Sequence, residues 1–237
     1  MKLLAFDTST DLMSVAVQRD GAGAGTPPQV WQHSGPGGAQ TSAQLIPTIQ
    51  RLMAQAGLQF AELDAIAFGS GPGSFTGLRT ACAVAQGLAF GANLKVLPIN
   101  TLLALAEEAR FQEASGLAQW QVSALLDARM DEMYAAGYSF DSGQWKQVKG
   151  CRLIRPEDLG LDGNCPLAGN VFANYGDRLP AAAPRIEALP TASALLRLAP
   201  FLLAHGDAVA PEQALPLYIR DKVAKTTLER AAEKAAP

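Results

Sequence analysis

A two-lobed α/β protein, with mixed sheets flanked by helices, is the fold class this sequence predicts. Three observations point to it. Short apolar runs separated by turn residues open the chain and recur in its second half. Between them, segments with helical spacing alternate with further apolar runs, the pattern of β-α crossovers. The chain has 237 residues, 49% apolar and 17% charged, enough to bury one core or two small ones and too apolar for a disordered chain.

The elements follow in order. Lys2–Phe6, Ser14–Gln18 and Gln29–His33 read as three short strands, the last two joined by the Gly/Pro-rich loop Gly21–Pro28, and together suggest an antiparallel meander. Leu45, Ile46, Ile49, Leu52, Met53 and Ala56 then recur at helical spacing, which predicts a helix over Ser42–Ala56 with Pro47 in its first turn or at a kink. Ala65–Phe68 is a strand, Thr76–Phe90 a helix, Leu94–Pro98 a strand and Leu102–Phe111 a helix. The resulting order, β-β-β-α-β-α-β-α, is that of the ribonuclease-H-like lobe of the actin and sugar-kinase superfamily.

A boundary near Glu113–Ala118 divides a first lobe, 1–113, from a smaller second lobe, 114–237, whose C-terminal segment is free to return to the first. Gln121–Leu126, Met133–Phe140 and Trp145–Val148 are strand-like, with Asp141-Ser142-Gly143 as the turn between the last two. Pro156–Pro190 reads as loops. Ala192–Ala204 is helical with a break at Pro200, and the tail from Thr227 is expected to fray. No internal repeat is visible in the residues.

Composition narrows the function. A formal charge of -3 argues against a protein that grips a nucleic acid unaided. Three cysteines, Cys82, Cys151 and Cys165, are too few and too scattered for a disulfide framework or a zinc site, and fit a reducing cytoplasm. Neither apolar stretch, Thr80–Phe90 with Gln86 nor Ala192–Ala204 with Arg197 and Pro200, reaches the ~18 residues of a membrane span. MKLLAFDTST is too short an apolar run for a secretory signal, so a soluble, cytoplasmic protein is expected. The two histidines, His33 and His205, are far apart in the chain and nominate no metal site or general base.

Three constellations remain. Phe6-Asp7-Thr8-Ser9-Thr10 closes the first strand; such a corner holds a hydrated cation and phosphate in actin-like ATPases, or is simply an Asx turn. Gly69-Ser70-Gly71-Pro72-Gly73-Ser74-Phe75-Thr76-Gly77 links a strand to a helix but lacks the P-loop lysine and the GxGxxG spacing, which favours a tight turn with Ser74 near the N-cap. The helix that follows is apolar nearly all round, so it needs cover on the side away from the sheet, from a helix of the same chain or from a protein partner. In the second lobe, Leu126-Asp127-Ala128-Arg129-Met130 keeps an aspartate but not the glycine of an Asp-x-Gly phosphate hairpin. Asp7, Ser9 and Asp127 are therefore candidates for a vestigial nucleotide site. No cofactor, no metal and no catalytic residue is expected.

Phe6–Thr10, the GSGPGSFTGLR run from Gly69 to Arg79, Ala85-Gln86-Gly87-Leu88-Ala89, Leu126–Met130 with Glu132-Met133-Tyr134, and Pro216-Leu217-Tyr218-Ile219-Arg220 together resemble the bacterial TsaB (YeaZ) family, in the family's order and over most of the chain. The resemblance implies a two-lobed, actin-like (ASKHA) pseudoenzyme. Its role would be a non-catalytic scaffold for a TsaD-like transferase, together with a TsaE-like ATPase. That complex forms N6-threonylcarbamoyladenosine at position 37 of tRNAs reading A-starting codons. The chain would meet tRNA only through the complex and could also form a homodimer. Docking would use the two helices of the first lobe, which nominates Leu45, Ile49, Leu52, Ala81, Ala85 and Leu88. Relatives carry a histidine before the first of these helices; this chain has Gly37-Gly38-Ala39-Gln40-Thr41-Ser42 there instead. The alternative is an active ATPase or small-molecule kinase of the same superfamily, motivated by Asp7, Asp127 and the glycine-rich loop.

Overall fold

The computed structural model describes residues 1–21, 23, 25–160 and 163–220. The first sheet has the strand order β3-β2-β1-β4-β5, with β1 (Leu3–Asp7), β2 (Leu12–Arg19), β3 (Gln29–Pro36), β4 (Ala65–Gly71) and β5 (Val96–Asn100). β1, β2 and β3 run antiparallel, and β1, β4 and β5 run parallel. The strands in the middle of this sheet read as unbroken apolar runs because both of its faces are covered.

Side chains alternate across a strand, so Leu4 and Phe6 of β1 point to one face and Leu3 and Ala5 to the other. Leu4 and Phe6 meet Leu45, Ile49 and Leu52 of α1 (Thr41–Ala56) and Ala81, Ala85 and Ala89 of α2 (Phe75–Ala92). On the opposite face, Leu3 and Ala5 share a cluster with Ala104 of α3 (Thr101–Glu113). Pro47 lies inside α1, which continues past it. Ser74 is the N-cap of α2, accepting from the Gly77 amide, and Asn100 caps α3 by accepting from the Leu102 and Leu103 amides.

The second sheet has the order β10-β9-β6-β7-β8, made of β6 (Gln119–Arg129), β7 (Glu132–Asp141), β8 (Gln144–Ile154), β9 (Leu167–Gly169) and β10 (Arg185–Glu187). It repeats the first: an antiparallel three-stranded meander followed by two parallel strands. The crossover between β9 and β10 holds the one-turn helix α4 (Phe172–Tyr175) and a single 3-10 turn, Gly176–Arg178. Leu102, Leu105, Ala106 and Ala109 of α3 pack against Val122, Ala124, Leu126 and Tyr138, so α3 serves both sheets.

Two expectations need correcting. β9 and β10 lie within the stretch read as loops, because strands of three residues between prolines and glycines carry no periodicity. Pro200 does not break its helix: α5 (Ala192–His205) is continuous, with Pro200 exposed and Leu195, Leu196, Leu198 and Ala199 buried against the first sheet. Packing of that apolar stripe outweighs the lost backbone hydrogen bond. The tail from Thr227 lies outside the described residues.

Candidate functional site

A cleft of about 690 Å³ opens between the lobes, lined by the turn after β1, the β4–α2 loop, the β6–β7 hairpin and Leu217–Arg220. The strand ends that carry Asp7 and Asp127 lie at this cleft because both sheets have the same topology.

Asp7 sits beneath the first lip, 1% exposed. Its Oδ1 accepts from the Ser9 amide at 2.9 Å and from the Ser9 hydroxyl at 2.6 Å, an Asx turn that uses both candidate residues. Oδ2 is buried with no hydrogen-bond partner. Burial pushes this carboxyl up to about 6, against the opposing effect of the two Ser9 hydrogen bonds. The glycine-rich loop packs directly on this turn. A Cβ on Gly69 would lie 1.8 Å from Asp7 Oδ2, and one on Gly77 would lie 1.9 Å from the Thr8 carbonyl oxygen. The Ser74 amide donates to the Ser9 carbonyl at 2.7 Å, and the Thr8 hydroxyl to the Gly77 carbonyl at 2.7 Å. The glycines thus let two segments of this chain interlock, which is why the loop needs them without any phosphate motif.

On the other lip, Asp127 accepts from the Tyr175 hydroxyl at 2.9 Å, the Asn174 amide group at 3.2 Å and the Arg129 backbone amide at 2.8 Å. Burial, helped by the bond to Asp127, pushes the Tyr175 phenol up to about 12. Arg129, Met130 and Asp131 follow with φ of +61°, +57° and +64°, three successive left-handed residues without a glycine. This conformation turns the Arg129 side chain across the cleft to pair with Asp11 of the first lobe. Where an Asp-x-Gly hairpin would bring backbone to a phosphate, this chain puts its own guanidinium. The arrangement brings Asp7 and Ser9 into contact and leaves Asp127 committed to its own lobe. Among the described residues, no group of three or more His, Cys, Asp or Glu side chains is placed to hold a metal ion.

The helix-face expectation also needs correcting. Leu45, Ile49, Leu52, Ala81 and Ala85 are fully buried on the first sheet, and Leu88 is half-buried. The first five form the inner stripe of α1 and α2 against the sheet and offer a partner no surface; of the nominated set, Leu88 alone keeps some. A stripe so buried reads the same from periodicity whichever side is the core. Part of the outer flank of α2 is covered by the chain itself: the Ala214 carbonyl accepts from Cys82 Sγ at 3.4 Å and from Gln86 Nε2 at 3.0 Å, and the Leu217 amide donates to the Ser70 carbonyl at 2.7 Å. Tyr218 then stacks on Phe75 at 5.2 Å and accepts from Arg79 Nε at 3.1 Å. What stays open on the two helices is a different set: Ala43, Ile46 and Ala54 of α1, and Ala83, Gly87, Phe90 and Gly91 of α2. Phe90 is 79% exposed and Leu215 beyond α5 is 70% exposed. Outward glycines are the sequence signal for this face, hidden by the apolar pattern that runs nearly all round the helix.

Two mixed sheets with one topology, flanked by helices and facing each other across a cleft, define a two-lobed protein of the actin-like class. A family model described as "TsaD: tRNA N6-adenosine threonylcarbamoyltransferase" matches residues 33–174. The tRNA threonylcarbamoyladenosine biosynthesis protein TsaB of Escherichia coli is 32% identical over 94% of this chain and 96% of its own length. That of Haemophilus influenzae is 33% identical over 94% and 95%. The solved structure of YeaZ from Pseudomonas aeruginosa superposes with a TM-score of 0.80 at 36% identity, over 92% of this chain and 99% of that one. The chain belongs to the TsaB (YeaZ) family, whose members take part in threonylcarbamoyladenosine biosynthesis on tRNA.

Proposed function

We propose that this chain is a non-catalytic, cytoplasmic subunit that holds a TsaD-like transferase in its working form, alongside a TsaE-like ATPase, for formation of N6-threonylcarbamoyladenosine at position 37 of tRNAs reading A-starting codons. The observation that carries the reading is Gly87. It sits in the middle of an 18-residue helix, where glycine costs about 1 kcal/mol relative to alanine. A Cβ there would meet nothing within 4 Å. Nothing among the described residues requires a glycine there, but a second backbone docking closely on α2 would. Gly91, one turn on, is equally open, and Phe90 between them supplies an aromatic anchor.

The cleft supports the non-catalytic part of the reading. Asp127 is engaged by Tyr175, Asn174 and Arg129, and Arg129 spans the gap that a nucleotide's phosphates would fill. The same helix face would also serve pairing with a second copy when the transferase is absent. Depleting the protein should lower N6-threonylcarbamoyladenosine in bulk tRNA, measured by mass spectrometry of nucleosides. Unchanged levels would contradict the proposal.

A further inference from the structure

Three of the four sheet edges among the described residues are blunted. On the outer side of β5, Val96 exchanges both backbone hydrogen bonds with Val209, at 3.0 and 2.8 Å, and Pro98 has no N–H. β10 has only 3 residues. β8 has register shifts against β7 and carries lysines and an arginine. Such devices keep a sheet from pairing with another chain. The fourth edge, β3, uses none of them along its length. It has 8 residues, pairs with β2 without a register shift, and meets no other strand on its outer side. From Gly21 to Gln50 the sequence has no Asp, Glu, Lys or Arg at all.

The hydrogen bonds show which backbone groups this edge offers. The Gly37 amide donates to the Asp11 carbonyl at 2.8 Å, and Gly37 and Asp11 continue the β2–β3 register. Bonded pairs alternate along an antiparallel ladder, so Trp31, His33 and Gly35 turn their backbone groups to β2. Val30, Gln32 and Ser34 turn theirs outward. The far side of β1 fixes the same alternation: the Lys2 carbonyl accepts from the Asp64 amide at 2.8 Å, which sends the backbone groups of Leu3, Ala5 and Asp7 toward β2. Val30, Gln32 and Ser34 are exposed, and their backbone groups have no hydrogen-bond partner among the described residues. The next members of the outward set are Pro28 and Pro36, and neither has an N–H to offer.

We infer that β3 is the pairing edge of a two-fold dimer of this chain, in which the first sheets of two copies join into one. An antiparallel second copy centred on Gln32 sets Gln32 opposite Gln32 of the partner subunit, and Val30 opposite Ser34 of the partner subunit. That register uses every outward N–H on both strands. A shift of two residues either way sets Pro28 opposite Ser34 or Pro36 opposite Val30 and loses bonds. On the other face of the sheet, Trp31 meets His33 of the partner subunit. Both are half-buried, and they fall at a non-bonded position, where cross-strand side chains approach most closely. A foreign strand could match the backbone, but the prolines and the aromatic pair are centred on Gln32, which suits a second copy. The pairing is isologous and leaves no β3 edge open. It is separate from the open face of α2, so each subunit of the dimer keeps that face free.

The test is sedimentation equilibrium of the full chain, with Gly87→Glu present throughout so that the α2 face takes no part. This chain should self-associate in roughly the micromolar range. Adding Gln32→Lys or Gln32→Glu sets like charges opposite each other and should weaken association about tenfold or more. Mixing those two chains in equal amounts should restore it, because opposite charges then meet. Ser34→Pro removes an outward N–H without adding charge and should also weaken association about tenfold. It carries the test if the Gln32 variants lose their circular dichroism signature. A Gly87→Glu chain that stays monomeric would overturn the inference. So would folded Gln32 variants that associate as the parent does, or a mixture that associates no better than its parts. In the otherwise wild-type chain, Gln32→Lys should bind the transferase normally. Loss of the transferase would give the edge to a foreign strand and overturn the inference, whereas a wild-type chain that fails to bind the transferase counts against the scaffold proposal alone.

Discussion

Asp7 has a carboxyl with one satisfied oxygen and one buried, unpartnered oxygen. Its pKa in the folded chain, about 6, lies above the ordinary 3.8, so between these values the folded state holds more protons than the unfolded state. Stability from this group is therefore fully present below pH 4 and is lost as the pH rises through 6, by about 3 kcal/mol in all. Asp7→Asn has no such titration. Urea unfolding across pH 4 to 7 should show the variant gaining on the wild type by that amount; parallel curves would contradict it. Gly69 is the other half of the same contact. Gly69→Ala forces a methyl group into Oδ2 and should cost about 3 kcal/mol. In an Asp7→Ala background, where only the Asp7 Cβ position at 3.5 Å remains, most of that loss should vanish. The sequence displays Asp7, Ser9 and the glycine run plainly, but it cannot show that they serve one another. Motif reading leaves each as a ligand corner or a separate local turn, whereas the packing assigns them to each other.

The informative contrast among elements lies within α2. Ala85 and Gly87 are two residues apart and face opposite ways: Ala85 is buried on the sheet and Gly87 is open. Ala85→Arg, a natural choice for blocking a partner from the sequence pattern, should instead unfold the chain, because it buries a charge in the core. Gly87→Ala should raise the stability of the isolated chain by about 1 kcal/mol, read from the urea midpoint, while weakening transferase binding. A variant that gains stability and binds unchanged would mean that the glycine has no role at an interface. Periodicity located α1, α2 and α3 to within a few residues, since their apolar stripes are long. It could not say which flank of α2 is open, because the cover comes from Ala214 and Leu217, more than a hundred residues away in the chain.

The two lobes are joined on either side of the fold. On one side, the Arg129–Asp11 pair crosses the cleft, and Arg220 reaches from the C-terminal segment to Glu132 and the Arg129 carbonyl. On the other, the buried carboxylate of Glu107 on α3 accepts from Arg110, from Arg197 of α5 and from the Trp145 indole of β8. Glu107→Gln would leave the Arg110 guanidinium without its buried counter-charge, while Arg197 keeps Glu108, and should destabilise the protein by about 3 kcal/mol, measured by thermal unfolding. A loss below 1 kcal/mol would mean that the lobes hold together without it. The repeat of the first lobe in the second went unseen in the sequence for a physical reason. The second lobe keeps the strand order but reduces its crossovers to a one-turn helix and short turns, so no matching helical periodicity survives.

The scaffold account is tested most directly by calorimetric titration of the transferase into wild-type chain and into Gly87→Glu and Phe90→Glu variants with unaltered melting temperature. The account predicts that the wild type binds and that each variant binds at least thirtyfold more weakly, roughly the loss of one interface hot spot. Equal binding by all three proteins, or no binding by the wild type, would contradict it.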